Sequence, residues 1–173
     1  MRCAVGLKLI SIVGHDILLA SPPPMNEQLK VGIAGYGVVG KRRRHFIDQH
    51  PALKTIAVCD RTLKTSGTFE DGVRYYSRYD ELLQNEDLDI LFVCLTNDVA
   101  AHATICGLEH GLHVFCEKPP ARNLAELSQV LSTEKKFPHL KLKYGFNHRY
   151  HDSVRYALQL VQGKELGELI NLR

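Results

Sequence analysis

From residue 29 onwards, short apolar runs alternate with segments in which apolar positions follow a helical period. Continuous apolar runs are typical of strands buried on both faces of a sheet, and amphipathic segments are typical of helices packed on it. The pattern predicts strands at 29–34, 54–59, 72–76, 89–95, 112–116 and, at a sheet edge, 140–146. It predicts helices at 38–50, 79–85, 99–110, 123–136 and 152–162. This alternation indicates an α/β protein with a doubly wound parallel sheet and right-handed crossovers.

The first residues depart from this pattern. Residues 3–20 are apolar, but Lys8, His15 and Asp16 interrupt them, so no stretch reaches the ~20 apolar residues of a membrane-spanning helix. A secretory signal is an alternative interpretation, which the His-Asp pair and the PPPMNEQ sequence that follows both oppose. We therefore expect residues 1–28 to be an extension outside the fold.

The last residues also stand apart. After Phe146 the sequence holds only one helical segment and one strand-like segment, residues 167–173. One helix and one strand cannot bury a core of their own. We expect residues 29–147 to form the main domain, and residues 148–173 to begin a truncated second α+β domain for substrate binding and dimerisation.

Composition excludes several classes of protein but does not identify the function. The 173 residues are 45% hydrophobic and 24% charged, which excludes a largely disordered chain. The net charge of +3 is too small to indicate nucleic-acid binding. The five cysteines contain no CxxC pair and lie mostly in apolar runs, which predicts reduced thiols in a cytoplasmic protein without a metal site.

A glycine-rich hexapeptide directly follows the first predicted strand. It consists of Gly35, Tyr36, Gly37, Val38, Val39 and Gly40, a GxGxxG motif. The first glycine permits a tight turn, the second lets a pyrophosphate approach the backbone, and the third lets helix and strand pack closely. Free N–H groups at the helix N-terminus then face the phosphates. In this context the motif predicts a Rossmann-type dinucleotide-binding domain.

Charged residues outside that motif indicate which dinucleotide it binds. Asp60 ends the second predicted strand, 20 residues after Gly40. A carboxylate there binds ribose hydroxyls and repels a 2′-phosphate, which favours NAD over NADP. Arg61 leaves two alternatives open: stacking on adenine, or recognition of NADP. The basic run 41–44 is interpreted as a solvated helix face, and the alternative is that one of its cations assists the pyrophosphate.

Two further motifs follow predicted strands. Glu117-Lys118-Pro119 follows the fifth predicted strand, and Thr96-Asn97 follows the fourth. Together with GxGxxG and His102, these motifs make the chain resemble the Gfo/Idh/MocA oxidoreductases. The resemblance extends from residue 30 to residue 173, because residues 145–170 are similar to the family's crossover into its second domain.

The resemblance implies roles for individual residues. Lys118 is implied to lie near the nicotinamide and the reacting carbinol, as the catalytic acid–base group. Glu117 would orient Lys118 beside the cofactor, and Pro119 would fix the loop backbone. Cofactor contacts are also implied for Thr96, Asn97, His102, Asn147 and Arg149. For His102 the alternative is a packing or capping role, and for Arg149 it is a surface cation.

The resemblance also implies the function. It indicates an NAD(P)-dependent oxidoreductase of a sugar, nucleotide sugar or polyol, with NAD preferred over NADP. A homo-oligomer is implied for the full-length protein, with a small carbohydrate-like substrate and neither nucleic acid nor membrane as partner. The family's second catalytic motif, Asp-x-x-x-His, has no counterpart here, so this chain alone is expected to bind cofactor without turnover. The alternative is a non-catalytic dinucleotide-binding regulator or sensor.

Overall fold

The computed structural model describes residues 28–165 together with residues 167 and 168. Within these residues one sheet contains β1 (Leu29–Ala34), β2 (Leu53–Cys59), β3 (Gly67–Thr68), β4 (Arg74–Tyr76), β5 (Ile90–Val93), β6 (His113–Cys116) and β7 (Leu142–Tyr144). The helices are α1 (Val38–Gln49), α2 (Tyr79–Asn85), α3 (Asn97–Glu109), α4 (Leu124–Lys136), a 3₁₀ helix (Asn147–Tyr150) and α5 (Asp152–Gln162).

The strand order creates a crevice at one edge of the sheet. The order is β3-β4-β2-β1-β5-β6-β7, and every pairing is parallel except that of β3 with β4. The chain moves outward from β1 through β2 to β4, then returns to place β5 on the other side of β1. Loops that leave β1 and β5 therefore diverge, which is where α/β sheets bind ligands. The doubly wound parallel sheet predicted from the sequence is confirmed, and the antiparallel pairing of β3 with β4 is an unpredicted addition at its edge.

Two cores, one on each face of the sheet, explain why the central strands are continuous apolar runs. On one face, Val31, Ile33 and Val58 pack with Ile47 of α1. On the other face, the buried residues from the strands and from α2 and α3 include Ala34, Ala57, Leu82, Leu91, Val93 and Leu108. A strand covered on both faces needs apolar residues at consecutive positions, whereas a strand with one wet face alternates.

The structure differs from the prediction mainly at the ends of elements. The two-residue β3 was not predicted, because two residues carry no periodicity. Gln28 was predicted to lie outside the fold, but its side-chain amide donates to the carbonyl oxygens of Pro51 (3.0 Å) and Leu53 (3.3 Å). The rest of the predicted extension, and all but two residues of the predicted strand 167–173, lie outside the described residues. None of the described helices is long and apolar enough to cross a membrane.

Helix α5 stands apart from both cores. None of its residues is buried, and Tyr156 and Leu158 are exposed large apolar side chains on it. An amphipathic helix gains most of its stability from burying its apolar face. The helix therefore has an apolar surface that neither core of the sheet uses.

Gly40→Ala is expected to destabilise the fold by about 2 kcal/mol. A Cβ at Gly40 would lie 2.0 Å from the carbonyl oxygen of Gly35 and 3.4 Å from the side chain of Ile33. Backbone atoms cannot swing aside, so helix α1 would have to move off the strand. Urea denaturation followed by circular dichroism measures the loss. Gly37→Ala is the matched control, because a Cβ there meets nothing within 4 Å. Equal midpoints for the two variants would contradict this packing argument.

Candidate dinucleotide-binding site

A cleft of about 400 Å³ opens at the carboxyl ends of β1, β2 and β5, where the strand order reverses. Five of the residues predicted from the sequence line it: Gly35, Gly37, Asp60, Arg61 and Thr96. Asn97, beside Thr96, is the first residue of α3. The N-termini of α1 and α3 thus both lie at this edge, and helix N-termini favour negatively charged ligands.

The glycine loop is shaped by the strand beside it. Gly35 has a φ of +94°, and a Cβ on it would lie 2.5 Å from the carbonyl oxygen of Cys94. Only glycine fits such a backbone conformation and such a close approach. Gly37 is different, since a Cβ there would point into open space at the cleft. The loop therefore leaves an uncovered backbone surface against which a pyrophosphate fits. The side chains of Val38 and Val39 are exposed at the start of α1.

Asp60 is held in place by three hydrogen bonds. The backbone N–H of Tyr36 donates to Oδ2 at 3.0 Å, and Thr62 donates to Oδ1 from its N–H at 2.9 Å and its hydroxyl at 2.8 Å. Partial burial opposes ionisation, but the bonds from Thr62 and Tyr36, with the charge of Arg61, lower the pKa of Asp60. The carboxylate is therefore ionised at neutral pH. Oδ2 retains a lone pair that can accept a ribose hydroxyl.

The opposite wall of the cleft was not predicted from the sequence. It is formed by residues 77–80, which follow β4. Arg78 donates to the carboxylate of Asp80 at 2.6–3.2 Å, and the Tyr79 hydroxyl lies 2.7 Å from Nδ1 of His102. The available signal was topological: β4 is parallel to β2, so the residue after each strand reaches the same edge.

His102 lies behind this wall and does not line the cleft. It is exposed on α3, and its Nδ1 contacts the Tyr79 hydroxyl and, at 3.5 Å, Sγ of Cys106. Burial raises the pKa of Tyr79, so its hydroxyl keeps its proton at neutral pH. In this structure His102 therefore contacts Tyr79 and Cys106, and its predicted cofactor contact stays a prediction.

The Glu-Lys-Pro motif lies at the same edge, one strand beyond β5. The backbone N–H of Glu117 donates to the carbonyl oxygen of Val93 at 2.9 Å, Lys118 is exposed, and the Lys118–Pro119 peptide bond is cis. The expected contact of Glu117 with Lys118 is absent from the hydrogen bonds of the described residues. The Glu117 carboxylate is instead paired with Arg43 of α1. It faces the helix because Arg43 supplies the opposite charge there.

The interpretation of the basic run as a solvated face is wrong for two of its members. The Arg43 guanidinium lies 5.1 Å from the centre of the Phe115 ring. Arg44 donates to the Tyr36 hydroxyl at 2.8 Å and forms ion pairs with Asp48 and Asp71. A planar guanidinium with five N–H groups can serve several partners at once, which a lysine ammonium does less well. The other two members, residues 41 and 42, are exposed.

The last two predicted residues are brought to the same edge but not into the cleft. Asn147 and Arg149 are exposed in the 3₁₀ helix that follows β7. Because β7 is parallel to β6, its carboxyl end lies on the side of the sheet that carries Lys118. Lys118, Asn147 and Arg149 are therefore all exposed beyond the carboxyl ends of β6 and β7, at the sheet edge where the cleft opens.

Two cysteines close the bottom of the cleft. Burial raises the pKa of both Cys59 and Cys94 to about 12, so they are thiols at neutral pH. The four cysteines of the described residues are all free. In that same part of the chain, no group of three or more His, Cys, Asp or Glu side chains could hold a metal ion.

Comparison with known proteins agrees with this geometry. Residues 29–144 match the GFO_IDH_MocA family model, described as an oxidoreductase family with an NAD-binding Rossmann fold. An uncharacterised oxidoreductase of Bacillus subtilis is 31% identical over 146 residues, which are 83% of this chain and 42% of that protein. Inositol 2-dehydrogenase of Salmonella typhimurium is 26% identical over 145 residues, 81% of this chain and 43% of the relative.

A solved structure extends the comparison. The scyllo-inositol dehydrogenase from Lactobacillus casei, with bound NAD(H) and scyllo-inositol, superposes with a TM-score of 0.72 at 26% identity. The match covers 82% of this chain and 43% of that one, so the chain spans less than half the length of the proteins it resembles. The family model covers the glycine loop, the cleft and the Glu-Lys-Pro motif. The chain belongs to the Gfo/Idh/MocA oxidoreductase family, through its NAD-binding Rossmann domain.

Proposed function

We propose that this protein is an NAD-dependent oxidoreductase of a polyol, sugar or nucleotide sugar, and that the described residues form its cofactor-binding half. One observation carries the proposal: the open backbone at Gly37 and the ionised carboxylate of Asp60 share one cleft, with Lys118 on the same sheet edge. Relatives named inositol 2-dehydrogenase and D-glucoside 3-dehydrogenase support the substrate class.

The chain's own groups suit the two ends of a dinucleotide. N–H groups in the first turn of α1 bind the pyrophosphate, and the missing side chain of Gly37 leaves room for it. Oδ2 of Asp60 accepts a ribose hydroxyl, while Thr62 and Tyr36 keep the carboxylate in place. When bound, NAD supplies the acceptor for a hydride.

Lys118 holds the proton in this proposal. Oxidation of a carbinol removes a proton from oxygen as hydride leaves carbon, so a base must reach that oxygen. Lys118 is exposed at the end of β6 and has no described partner that occupies its Nζ. As the neutral amine, Nζ takes the hydroxyl proton in the direction of oxidation, and the ammonium group so formed returns it in the direction of reduction.

Residues from 148 onward belong, in the same proposal, to a second domain that supplies the substrate-facing wall and the contacts of a homo-oligomer. The absence of any buried residue in α5 supports this division. The free thiols of the described cysteines support a cytoplasmic location.

The test of the function is NADH formation. The whole protein, second domain included, is mixed with NAD and, separately, myo-inositol, scyllo-inositol, a D-glucoside and a nucleotide sugar, and NADH absorbance is followed. Reduction of NAD by at least one of these carbinols is expected. Binding of NAD without turnover of any of them would favour the non-catalytic sensor instead.

The 173-residue chain is expected to bind NAD about tenfold more tightly than NADP, since the ionised Asp60 repels a 2′-phosphate. Isothermal titration calorimetry with both cofactors measures the ratio. Asp60→Ala should weaken NAD binding and remove most of the preference. Asp152→Ala, an exposed carboxylate on α5, is the control and should change neither affinity. Tighter NADP binding by the unmodified chain would assign the ribose end of the cleft to Arg61.

A further inference from the structure

One ion pair joins the two parts of the site that the sequence keeps far apart. Arg43 lies on α1, the helix that starts at the glycine loop, and Glu117 directly precedes Lys118. Nε of Arg43 donates to Oε1 of Glu117 at 2.5 Å, and Nη2 contacts the same oxygen. The two side chains are only 32% and 14% exposed. Partly buried, hydrogen-bonded ion pairs hold their geometry better than exposed ion pairs do. Exposed pairs also contribute little to the stability of the fold.

The surroundings of Glu117 are built to hold its carboxylate there. A Cβ on Gly145 would lie 2.7 Å from Oε2 of Glu117 and 3.3 Å from the ring of Phe115. Gly145 is tied in turn to the strand before Glu117, because its N–H donates to the carbonyl oxygen of Cys116 at 2.9 Å. The Arg43 guanidinium covers the Phe115 ring on the other side. The carboxylate therefore occupies a space left by a glycine and closed by a cation.

We propose that Arg43 is a positioning residue for Lys118 and that it acts through Glu117. The ion pair between Arg43 and Glu117 links the loop that carries Lys118 to helix α1, which begins at the glycine loop. The role of Lys118 rests on the function proposed above. Among the described residues no hydrogen bond or ion pair holds the Lys118 side chain, so its placement depends on the backbone next to it. That backbone is held by the N–H of Glu117 on Val93 and by the carboxylate of Glu117 on Arg43.

A pair of variants separates positioning from stability. Arg43→Met leaves the mostly buried Glu117 carboxylate without its partner, which destabilises the fold. Adding Glu117→Gln removes the unpaired charge and should restore the urea midpoint, but it does not restore the tie. A purely structural Arg43 predicts that kcat recovers together with stability. A positioning Arg43 predicts that stability recovers and kcat does not.

The kinetic readout uses the whole protein with NAD and myo-inositol. In Arg43→Met and in the double variant, kcat should fall about tenfold, because small displacements of a catalytic group are costly, while the Kd for NAD stays within about twofold. Arg43→Lys should recover part of kcat, since it keeps the charge but not the planar fork. Lys135→Met, which removes an exposed cation at the end of α4, is the control and should behave like the unmodified protein.

Hydrogen–deuterium exchange gives a readout that needs no turnover. Peptides that contain Lys118 should exchange faster in the double variant, while peptides from β1 and β5 should not change. Without any NADH formation by the unmodified protein, the proposed function fails and the exchange data alone decide on the tie. Unchanged exchange at Lys118, or a double variant whose kcat recovers with its stability, overturns the positioning role of Arg43.

Discussion

Gly37→Val is expected to weaken NAD binding at least about 100-fold, a loss of about 2.7 kcal/mol, while the sheet stays folded. A Cβ at Gly37 meets no protein atom within 4 Å, so the fold accommodates a side chain there. The same open space lies in the cleft, where a branched side chain would occupy the position of the pyrophosphate. Calorimetric titration with NAD measures the loss, and circular dichroism verifies the fold.

Two other glycine variants serve as controls for Gly37→Val. Gly37→Ala adds a single methyl group at the same place and should weaken NAD binding less than valine does. Gly35→Ala should instead destabilise the fold, because of the positive φ and the 2.5 Å approach to the carbonyl oxygen of Cys94. A folded Gly37→Val protein with unchanged NAD affinity would mean that this loop does not hold a dinucleotide.

Lys118→Ala is expected to lower kcat about 10²–10⁴-fold in the whole protein, with little change in the Kd for NAD. The substitution removes the group that exchanges a proton with the carbinol, and the cleft that holds the cofactor is left intact. The variant should also be as stable as the parent, since Lys118 is exposed and no described contact depends on its side chain. Steady-state kinetics with NAD and the substrate that the parent oxidises measure the change.

Two control variants separate the proton-transfer role of Lys118 from the effect of its positive charge. Lys135→Ala removes an exposed lysine at the end of α4 and should leave kcat unchanged. Lys118→Arg keeps the positive charge but cannot release a proton near neutral pH, so it should be almost as slow as the alanine variant. Full activity of Lys118→Ala would remove this lysine from the proposed mechanism.

Local chemistry made much of the molecule predictable. Within β1, residues 31–34 are apolar and buried at consecutive positions because both faces of a central strand are covered. The glycines at 35 and 40 follow from a positive φ and from a helix packed against a strand. Asp60 could be placed because parallel strands bring their carboxyl ends to one edge. In each case the burial or the backbone conformation concerns a single strand, helix or turn, so the residue pattern of that segment is enough to predict it.

The choice of partners among charged side chains could not be predicted in this way. Arg43 and Glu117 are 74 positions apart, and Arg44 and Asp71 are 27 apart. These pairs form only because the sheet order and the packing of α1 against β1 and β2 bring the atoms together. Periodicity shows which face of an element is apolar, but it carries no distance between side chains on different elements. The same reason explains why the basic run was interpreted as a solvated face.

The sequence by itself therefore determined the order of the strands and helices other than β3 and the 3₁₀ helix. It also determined the glycine loop, the acidic residue after β2 and the position of Lys118 at a strand end. These depend on backbone conformation and burial within single elements. Only the tertiary structure decided that residues 77–80 form the opposite wall, that His102 lies behind Tyr79, and that Glu117 pairs with Arg43. Those outcomes depend on which elements are neighbours in space, and side-chain contacts of a few ångströms are set by packing after the chain has folded.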